Sequence, residues 1–213
     1  MNNKLSTTYL VLIIASMVFG CREPKVENEI ASASAISSVN GEKYSIDTKE
    51  SVISWKGTMV IGKNGHTGFV TISKGTLLID NGQLVGGTAE IDMSTIEDNS
   101  HKSNSGLIQH LKDTDFFDVK KFPIATIAIA KAAPENAGNI NVTGNLTIKG
   151  FTHLVSFPAK IDIKDGIVNA NGKMMIDRTD YGIFYQSGKY FDVLAEKAMS
   201  DSIEFNIKIV AKK

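Results

Sequence analysis

Hydrophobic and polar residues alternate along most of the chain after residue 50. The clearest run lies at the C-terminus, where Ile203, Phe205 and Ile207 are interleaved with charged and amide residues. A period of two with polar partners predicts a strand that is buried on one face and wet on the other. The same pattern recurs in segments 53–59, 69–79, 84–93, 124–129, 140–148, 155–163 and 168–176. We therefore predict about eight β-strands and no βαβ units.

The residues between these runs favour tight hairpin turns. Asn64-Gly65, Asn81-Gly82 and Asp165-Gly166 fall between strand candidates, and such pairs adopt the positive φ angles of tight turns. Asn171-Gly172 instead lies inside a strand pattern, which predicts a bulge or the close approach of a ligand. One short helix is expected over residues 104–112, where Leu107, Ile108 and Leu111 share a face.

These elements predict an all-β fold. Antiparallel strands with one wet face must hide their other face and their edges, and closing into an extended barrel achieves both. The predicted inward positions include small residues, among them Gly57, Gly144, Ala159, Ala170 and Gly172. Small residues mixed with large apolar ones indicate room inside the barrel, although a tapered and fully packed barrel uses the same mixture.

The segment from His110 to Thr126 departs from the alternating pattern. Phe116 and Phe117 stand among charged residues, and Phe122-Pro123 follow shortly afterwards. This grouping predicts an irregular segment that fixes aromatic side chains in the core before a strand begins at Ile124. Pro123 cannot donate to a ladder, so it belongs at the first residue of that strand or on an edge.

The N-terminal residues predict a leader and a tether. Residues 1–20 contain Lys4 followed by an apolar stretch that is too short to span a membrane, as in a signal peptide. Val18-Phe19-Gly20-Cys21 resembles the lipobox of bacterial lipoproteins, in which the cysteine is acylated; the alternative is an ordinary secretory leader. Residues 21–42 are charged, small and polar, which predicts a flexible tether. The folded domain is then expected over residues 43–213.

Composition excludes several classes of function. Lys and Arg number 23 and Asp and Glu number 23, so the chain has no basic field for nucleic acid. The single cysteine excludes an internal disulfide. No histidine pair has metal-ligand spacing, although His101 and His110 flank the predicted helix. Motifs of nucleophilic catalysis are absent from the sequence, so we expect no enzymatic activity and, from the histidine spacing, no metal site.

A second informative segment is Asp177-Arg-Thr-Asp-Tyr-Gly-Ile183. Arg178 at the end of an apolar strand suits a carboxylate pair that locks the strand end. The alternative places Arg178, together with Lys189, at the mouth of the barrel, where it would meet an anionic ligand head.

Several motifs, in order, resemble the YceI-like family of secreted bacterial lipid-binding proteins. They are Ser54-Trp-Lys-Gly57, His66-Thr-Gly-Phe-Val70, Gly86-Gly87 leading to Ile91-Asp-Met93, His110 to Thr126, Gly144 to Gly150, and Asp177 to Ile183. The resemblance implies a lipocalin-like barrel whose long apolar pocket takes isoprenoid-like or other amphiphilic lipids, without a cofactor. It also implies that His110 orients its loop by hydrogen bonding rather than catalyses.

From this resemblance we expect a barrel that sequesters or carries a polyprenyl compound or an isoprenoid quinone. The expected location is the envelope of a Gram-negative bacterium, on a lipoprotein that faces the periplasm or the cell surface. A lipid-modifying enzyme and a structural barrel without ligand are the alternatives, and pairing into a homodimer is left open. The candidate pocket residues are Trp55, Phe69, Phe157, Met174, Ile176, Phe205 and Ile207; the candidate mouth residues are His110, Arg178 and Tyr181.

Overall fold

The computed structural model describes residues 40–61, 65–99 and 106–213. The predicted leader, Cys21, most of the tether, Asn64 and His101 lie outside these residues. The described chain forms nine strands, one α-helix and one 3₁₀-helix. The strands are β1 Glu42–Ile46, β2 Val52–Met59, β3 Gly65–Asp80, β4 Gln83–Asp98, β5 Ile124–Pro134, β6 Asn139–Ile148, β7 Phe151–Lys164, β8 Ile167–Asp177 and β9 Met199–Lys212; the helices are α1 Gly106–Lys112 and the 3₁₀-helix Arg178–Tyr181.

The strands close into an antiparallel barrel with eight strand positions. Each strand from β2 to β9 pairs with the next strand in sequence, and β2 also pairs with β9, which closes the wall. Strands β7 and β8 are paired over only part of their length. The predicted eight-stranded barrel with one short helix is therefore confirmed. Strand β1 adds to it, because it lies in line with β2 and pairs with the far ends of β3 and β9.

The first barrel position is divided in two by a turn at Asp47. Its carboxylate accepts hydrogen bonds from the backbone N–H groups of Lys49 at 3.0 Å and Glu50 at 3.2 Å. The buried side chain of Ser51 then takes the place of a ladder bond, because its Oγ accepts from the Val210 N–H at 3.0 Å and donates to the Val210 carbonyl at 3.2 Å. Side-chain oxygens thus satisfy backbone groups where regular pairing stops.

The two ends of the barrel differ in their connections. We call the end that carries the connections β3–β4, β5–β6 and β7–β8 the turn end, and the opposite end the loop end. At the turn end, Asn81-Gly82 and Asp165-Gly166 have positive φ angles, as the sequence predicts for tight hairpins. The loop end carries the long connections after β4 and β8.

Asn171-Gly172 is regular strand, so the predicted bulge is absent. Both residues pair in register with β7 and with β9. The side chain that approaches Gly172 closely is the Phe157 ring, which lies 3.1 Å from the position that a Cβ would occupy. Gly144 serves backbone packing rather than space, because a Cβ there would lie 2.6 Å from the Ala128 carbonyl oxygen.

The aromatic segment behaves as the sequence predicts. Phe116, Phe117 and Val119 are buried, and backbone hydrogen bonds fold the segment onto the end of α1, with the Phe117 N–H donating to the Leu111 carbonyl at 3.1 Å. Pro123 stands directly before β5 and accepts a hydrogen bond from the Met93 N–H at 2.9 Å. The segment therefore covers part of the loop end.

Candidate functional site

An apolar cavity of about 420 Å³ runs through the inside of the barrel. Its wall is formed by inward-facing residues of all the barrel strands, together with Leu107 and Leu111 of α1 and the aromatic pair Phe116 and Phe117. The volume lies within the range of about 300–1,000 Å³ that is usual for small-molecule sites. The interior is therefore not packed solid, as it would be in a purely structural barrel.

Polar lining residues concentrate at the loop end of this cavity. Among the described residues that line the cavity, six are polar or charged, and five of these, Thr58, His66, Arg178, Glu196 and Ser200, lie near that end. The mouth is therefore at the loop end, where connections replace regular strand pairing. At the turn end the buried side chains of Leu84 and Ile140 separate the cavity from a smaller surface cleft of about 230 Å³.

Five of the seven candidate pocket residues line the cavity: Trp55, Phe157, Met174, Phe205 and Ile207. Ile176 is buried but does not reach the cavity wall. Phe69 faces away from the cavity, because its neighbours Gly68 and Val70 are the buried, inward residues of β3. Other lining residues are Ile53, Ile72, Ile91, Ile127 and Ile203, whose alternation the sequence shows equally well.

Trp55 occupies a tightly fitted place on the wall. Its indole lies over Gly68, where a Cβ would overlap the Glu97 carbonyl oxygen and lie 2.7 Å from two indole carbons. The indole Nε1 is buried and has no hydrogen-bond partner. Because a buried N–H without an acceptor costs free energy, an acceptor that reached Nε1 would remove that cost.

Gly57, on the same strand, faces open space inside the cavity. No atom lies within 4 Å of the position that its Cβ would take. Ala159, Ala170 and Gly172 also line the cavity. Of the small inward residues that indicated room in the sequence, Gly57, Ala159 and Ala170 therefore border open space, whereas the Phe157 ring fills the space beside Gly172 and Gly144 serves backbone packing.

Arg178 is held by the protein itself. Its side chain is 1% exposed, and its Nε donates to the Ser200 carbonyl at 3.0 Å. Its Nη1 donates to the Ile183 carbonyl at 2.9 Å, and its Nη2 donates to the Asp201 carboxylate at 3.0 Å and the Met199 carbonyl at 3.3 Å. Burial lowers the pKa of this guanidinium, and the Asp201 carboxylate opposes that shift. The geometry favours the strand-locking role, with Asp201 rather than an adjacent aspartate as the carboxylate.

The 3₁₀-helix after β8 fills a gap in the barrel wall. Strands β7 and β8 pair only over Ala159–Lys164 and Ile167–Gly172. The ladder stops beside Pro158, which has no N–H to donate. In the gap, the Tyr181 ring packs edge-on against His153 with centroids 5.1 Å apart.

Tyr181 and His110 do not lie at the mouth. Tyr181 is 1% exposed, and burial, reinforced by the Asp180 carboxylate, raises its pKa to about 12. His110 packs between the Tyr185 and Phe116 rings, with centroid distances of 4.4 and 5.1 Å, and its buried Nε2 has no hydrogen-bond partner. Both side chains are part of the packing that closes the loop end.

His66, which the sequence offered only as part of a family motif, lies at the mouth together with Thr58, Glu196 and Ser200. Its Nδ1 lies 3.2 Å from the carboxylate of Asp98, whose side chain is fully buried. Across residues 40–61, 65–99 and 106–213, no three His, Cys, Asp or Glu side chains converge in a way that could hold a metal ion. Among the helices in these same ranges, none has the length and apolar character needed to cross a bilayer.

The fold and the cavity together define an antiparallel β-barrel with an internal apolar binding space. The YceI-like domain matches residues 44–211. The chain belongs to the YceI-like family, as its motifs indicated.

Two relatives share part of the sequence. The chain is 28% identical over 123 residues to a UPF0312 protein of Shewanella denitrificans, and 37% identical over 68 residues to one of Enterobacter sp.. These stretches cover 57% and 32% of this chain, and the chain spans 63% and 35% of the two relatives' own lengths.

Solved structures share the fold. Burkholderia cenocepacia BcnA superposes with a TM-score of 0.65 at 22% identity, covering 78% of this chain and 99% of BcnA. A polyisoprenoid binding domain from Saccharophagus degradans, implicated in plant cell wall breakdown, gives 0.60 at 12% identity, covering 79% and 97%. The Campylobacter jejuni YCEI protein gives 0.53 at 22% identity, covering 68% and 84%.

Proposed function

We propose that this barrel binds one long-chain amphiphilic lipid, of the polyprenyl or isoprenoid-quinone type, and sequesters or carries it in the cell envelope. The observation that carries the proposal is the apolar cavity of about 420 Å³ that ends at Leu84 and Ile140 and has its polar lining residues at the opposite end. An apolar tail inside with a polar head at the mouth suits this distribution. The polyisoprenoid binding domain of Saccharophagus degradans, which shares the fold, supports the choice of lipid class.

The magnitudes agree with a binding role. At about 0.8 kcal/mol per buried CH₂, twenty carbons in an apolar cavity offer roughly 16 kcal/mol before the costs of binding. Non-covalent affinities saturate near about 18–21 kcal/mol. A carrier of this kind therefore obtains affinity easily, and release at the right place is its harder task.

At the mouth, the lipid head group would find the hydrogen-bond donors of Arg178 already engaged by the protein. The guanidinium has five N–H groups, and it makes four hydrogen bonds to protein acceptors. We therefore expect a neutral head, such as an alcohol or a quinone carbonyl, to be accepted without any contribution from this guanidinium. Trp55 Nε1 is the buried donor that such an oxygen would satisfy.

The chain contains one tryptophan, and Trp55 lines the cavity, so intrinsic fluorescence tests the proposal directly. Titration with an isoprenoid quinone should quench Trp55 emission saturably at one ligand per chain. Gly57→Phe, which adds a side chain to open cavity space, should abolish this quenching. Gly106→Phe is the matched control, because its Cβ also meets nothing within 4 Å, but it lies at the exposed start of α1.

A second measurement examines the native ligand. An organic extract of protein purified from its host should contain a lipid that the Gly57→Phe variant lacks. The proposal fails if neither quinones nor polyprenyl alcohols change Trp55 emission and if wild-type extracts contain no lipid in stoichiometric amount.

The same proposal includes an anchor at Cys21 that keeps the barrel at a membrane in the cell envelope. Two or more acyl chains give stable attachment, whereas one gives only marginal binding. Cys21→Ala should then move the protein from the membrane fraction to the supernatant. Equal fractionation of the variant and the wild type would contradict the anchor and leave the cavity proposal untouched.

A further inference from the structure

Large apolar side chains stand exposed at the loop end of the barrel. Val60 and Ile61, directly after β2, are each 57% exposed. Phe191 and Leu194, in the connection between β8 and β9, are 55% and 63% exposed. We call these four residues the apolar rim. Exposed apolar groups that cluster, rather than occur singly, mark interaction sites.

The rim is continuous with the mouth of the cavity. The Val60 N–H donates to the Ala198 carbonyl at 2.9 Å, which joins the two parts of the rim. Met59, the residue before Val60, lines the cavity, and so do Glu196 and Met199 from the other connection. A ligand that leaves the cavity at this point therefore passes beside the rim side chains.

We propose that the apolar rim is a bilayer-docking surface, by which the barrel inserts its mouth into the outer part of a lipid membrane. The inference rests on the proposed function, because a lipid ligand has to travel between a bilayer and the cavity. Rim side chains buried among acyl chains would exclude water from that path. Tyr190, half exposed and packed on Phe184 with ring centroids 4.5 Å apart, adds an aromatic with a polar tip, the type of residue that favours the membrane–water interface.

The charges of the connection that carries Phe191 and Leu194 favour apolar insertion over attraction to anionic lipid. The connection 184–198 carries two lysines, Lys189 and Lys197, and two carboxylates, Asp192 and Glu196. Because these charges balance, the long-range electrostatic contribution is small. The rim should therefore dock on zwitterionic phosphatidylcholine vesicles and gain little from anionic lipid.

Insertion can be followed on the full chain with tryptophan as the probe. Phe191→Trp in a Trp55→Phe background places the one tryptophan on the rim. Vesicles of phosphatidylcholine with brominated acyl chains quench a tryptophan only when it contacts the hydrocarbon. Ile167→Trp in the same background is the control, because Ile167 is exposed at the turn end. We expect brominated vesicles to quench the rim tryptophan to about half its emission or less, and to leave the control unchanged.

Cavity loading is read separately from the wild-type Trp55, with vesicles that carry an isoprenoid quinone. Ile61→Ser combined with Leu194→Ser should slow this loading at least about 10-fold, because both substitutions withdraw apolar surface from the membrane. Ile167→Ser should load at the wild-type rate. If the tryptophan at position 191 is quenched but the emission of Trp55 shows no loading of the cavity, the proposed function is contradicted and the docking surface is supported.

Two results would overturn the inference. One is loading of Trp55 at the wild-type rate in the Ile61→Ser, Leu194→Ser variant, together with an unquenched tryptophan at position 191. The other is a dimer, seen by sedimentation without vesicles, that the same double substitution dissociates. The rim would then be a contact between copies of the chain rather than a membrane surface.

Discussion

Replacing Arg178 by Met removes the group that ties the connection after β8 to the start of β9. The guanidinium is 1% exposed and donates to the carbonyls of Ser200, Ile183 and Met199 and to the Asp201 carboxylate. Methionine keeps most of the volume but offers no donor. Three backbone acceptors and one carboxylate would then lose their partner in a confined space.

The expected cost follows from these contacts. Breaking a buried ion pair by removing one partner costs about 3–5 kcal/mol. Asp201 retains 24% side-chain exposure, so water can reach its carboxylate and the lower part of that range applies. At about 2–4 °C per kcal/mol for a domain of this size, the midpoint of thermal unfolding should fall by roughly 10 °C.

Urea unfolding followed by Trp55 emission measures the change in the free energy of unfolding. Arg178→Lys should recover only part of the loss, because lysine keeps the charge but lacks the planar fork that meets several acceptors at once. Lys189→Met is the control. Lys189 lies 3.6 Å from Asp177 with more than half of its side chain exposed, and an exposed pair of this kind contributes at most about 1 kcal/mol.

Two outcomes would refute this reasoning. If Arg178→Met unfolds within about 1 kcal/mol of the wild type, the guanidinium does not hold the connection. If the variant stays folded at low temperature but loses affinity for anionic lipids alone, the guanidinium serves a ligand head instead. We expect its affinity for a neutral quinone to change by less than about threefold, since Arg178 already has its acceptors within the protein.

Two further predictions concern single side chains. Burial raises the pKa of Tyr181 to about 12 in the folded protein, against about 10 in the unfolded chain. The free energy of unfolding should therefore be unaffected below pH 10 and fall by about 2–3 kcal/mol as pH rises toward 12. Tyr181→Phe should reduce this loss in urea titrations at alkaline pH, and the same dependence of stability on pH in both proteins would contradict the prediction. Gly68→Ala should cost roughly 2–4 kcal/mol and shift Trp55 emission, because the added methyl overlaps the Glu97 carbonyl and the indole; unchanged emission and stability would show that the strand relaxes freely.

The alternation of the sequence was sufficient to predict the barrel but not its first strand. A period of two that continues over five or more pairs of residues is characteristic of a half-buried strand, so β4, β6 and β9 follow from it directly. Strand β1 contributes only Tyr44 and Ile46 as buried residues. Two inward residues beside a polar segment form too short an alternation to distinguish a strand from a loop.

Phe69 shows why the cavity wall could be predicted only in part. Leu77 and Ile79 are buried and odd-numbered. If the same alternation continued toward the start of β3, the odd-numbered Phe69 would also face inward. The register with β4 shifts between Ile72 and Lys74, where β3 holds one extra residue. A bulge of one residue exchanges the two faces of a strand, and nothing in the local sequence marks it.

His110 and Tyr181 could not be placed from sequence for a related reason. Each sits in a connection whose path depends on distant partners, Tyr185 for His110 and His153 for Tyr181. The gap that Tyr181 fills exists because Pro158, more than twenty residues earlier, ends the pairing of β7 with β8. Contacts of this kind appear only once the wall is built.

The proposed anchor at Cys21 and the proposed docking of the mouth place opposite demands on the tether predicted over residues 21–42, because β1 enters the barrel from the turn end. Cys21 and Glu42 are 21 residues apart, which at full extension reaches roughly 70 Å. Strand β3 has 16 residues, a length of roughly 54 Å along the strand, and the tilt of barrel strands makes the barrel shorter still. A stretch of this length is therefore long enough to span the barrel, which the proposed docking of the loop end on a bilayer requires. Under these two proposals, shortening the stretch between Cys21 and Glu42 by half should slow loading of Trp55 from vesicles, and loading at the wild-type rate would contradict their combination.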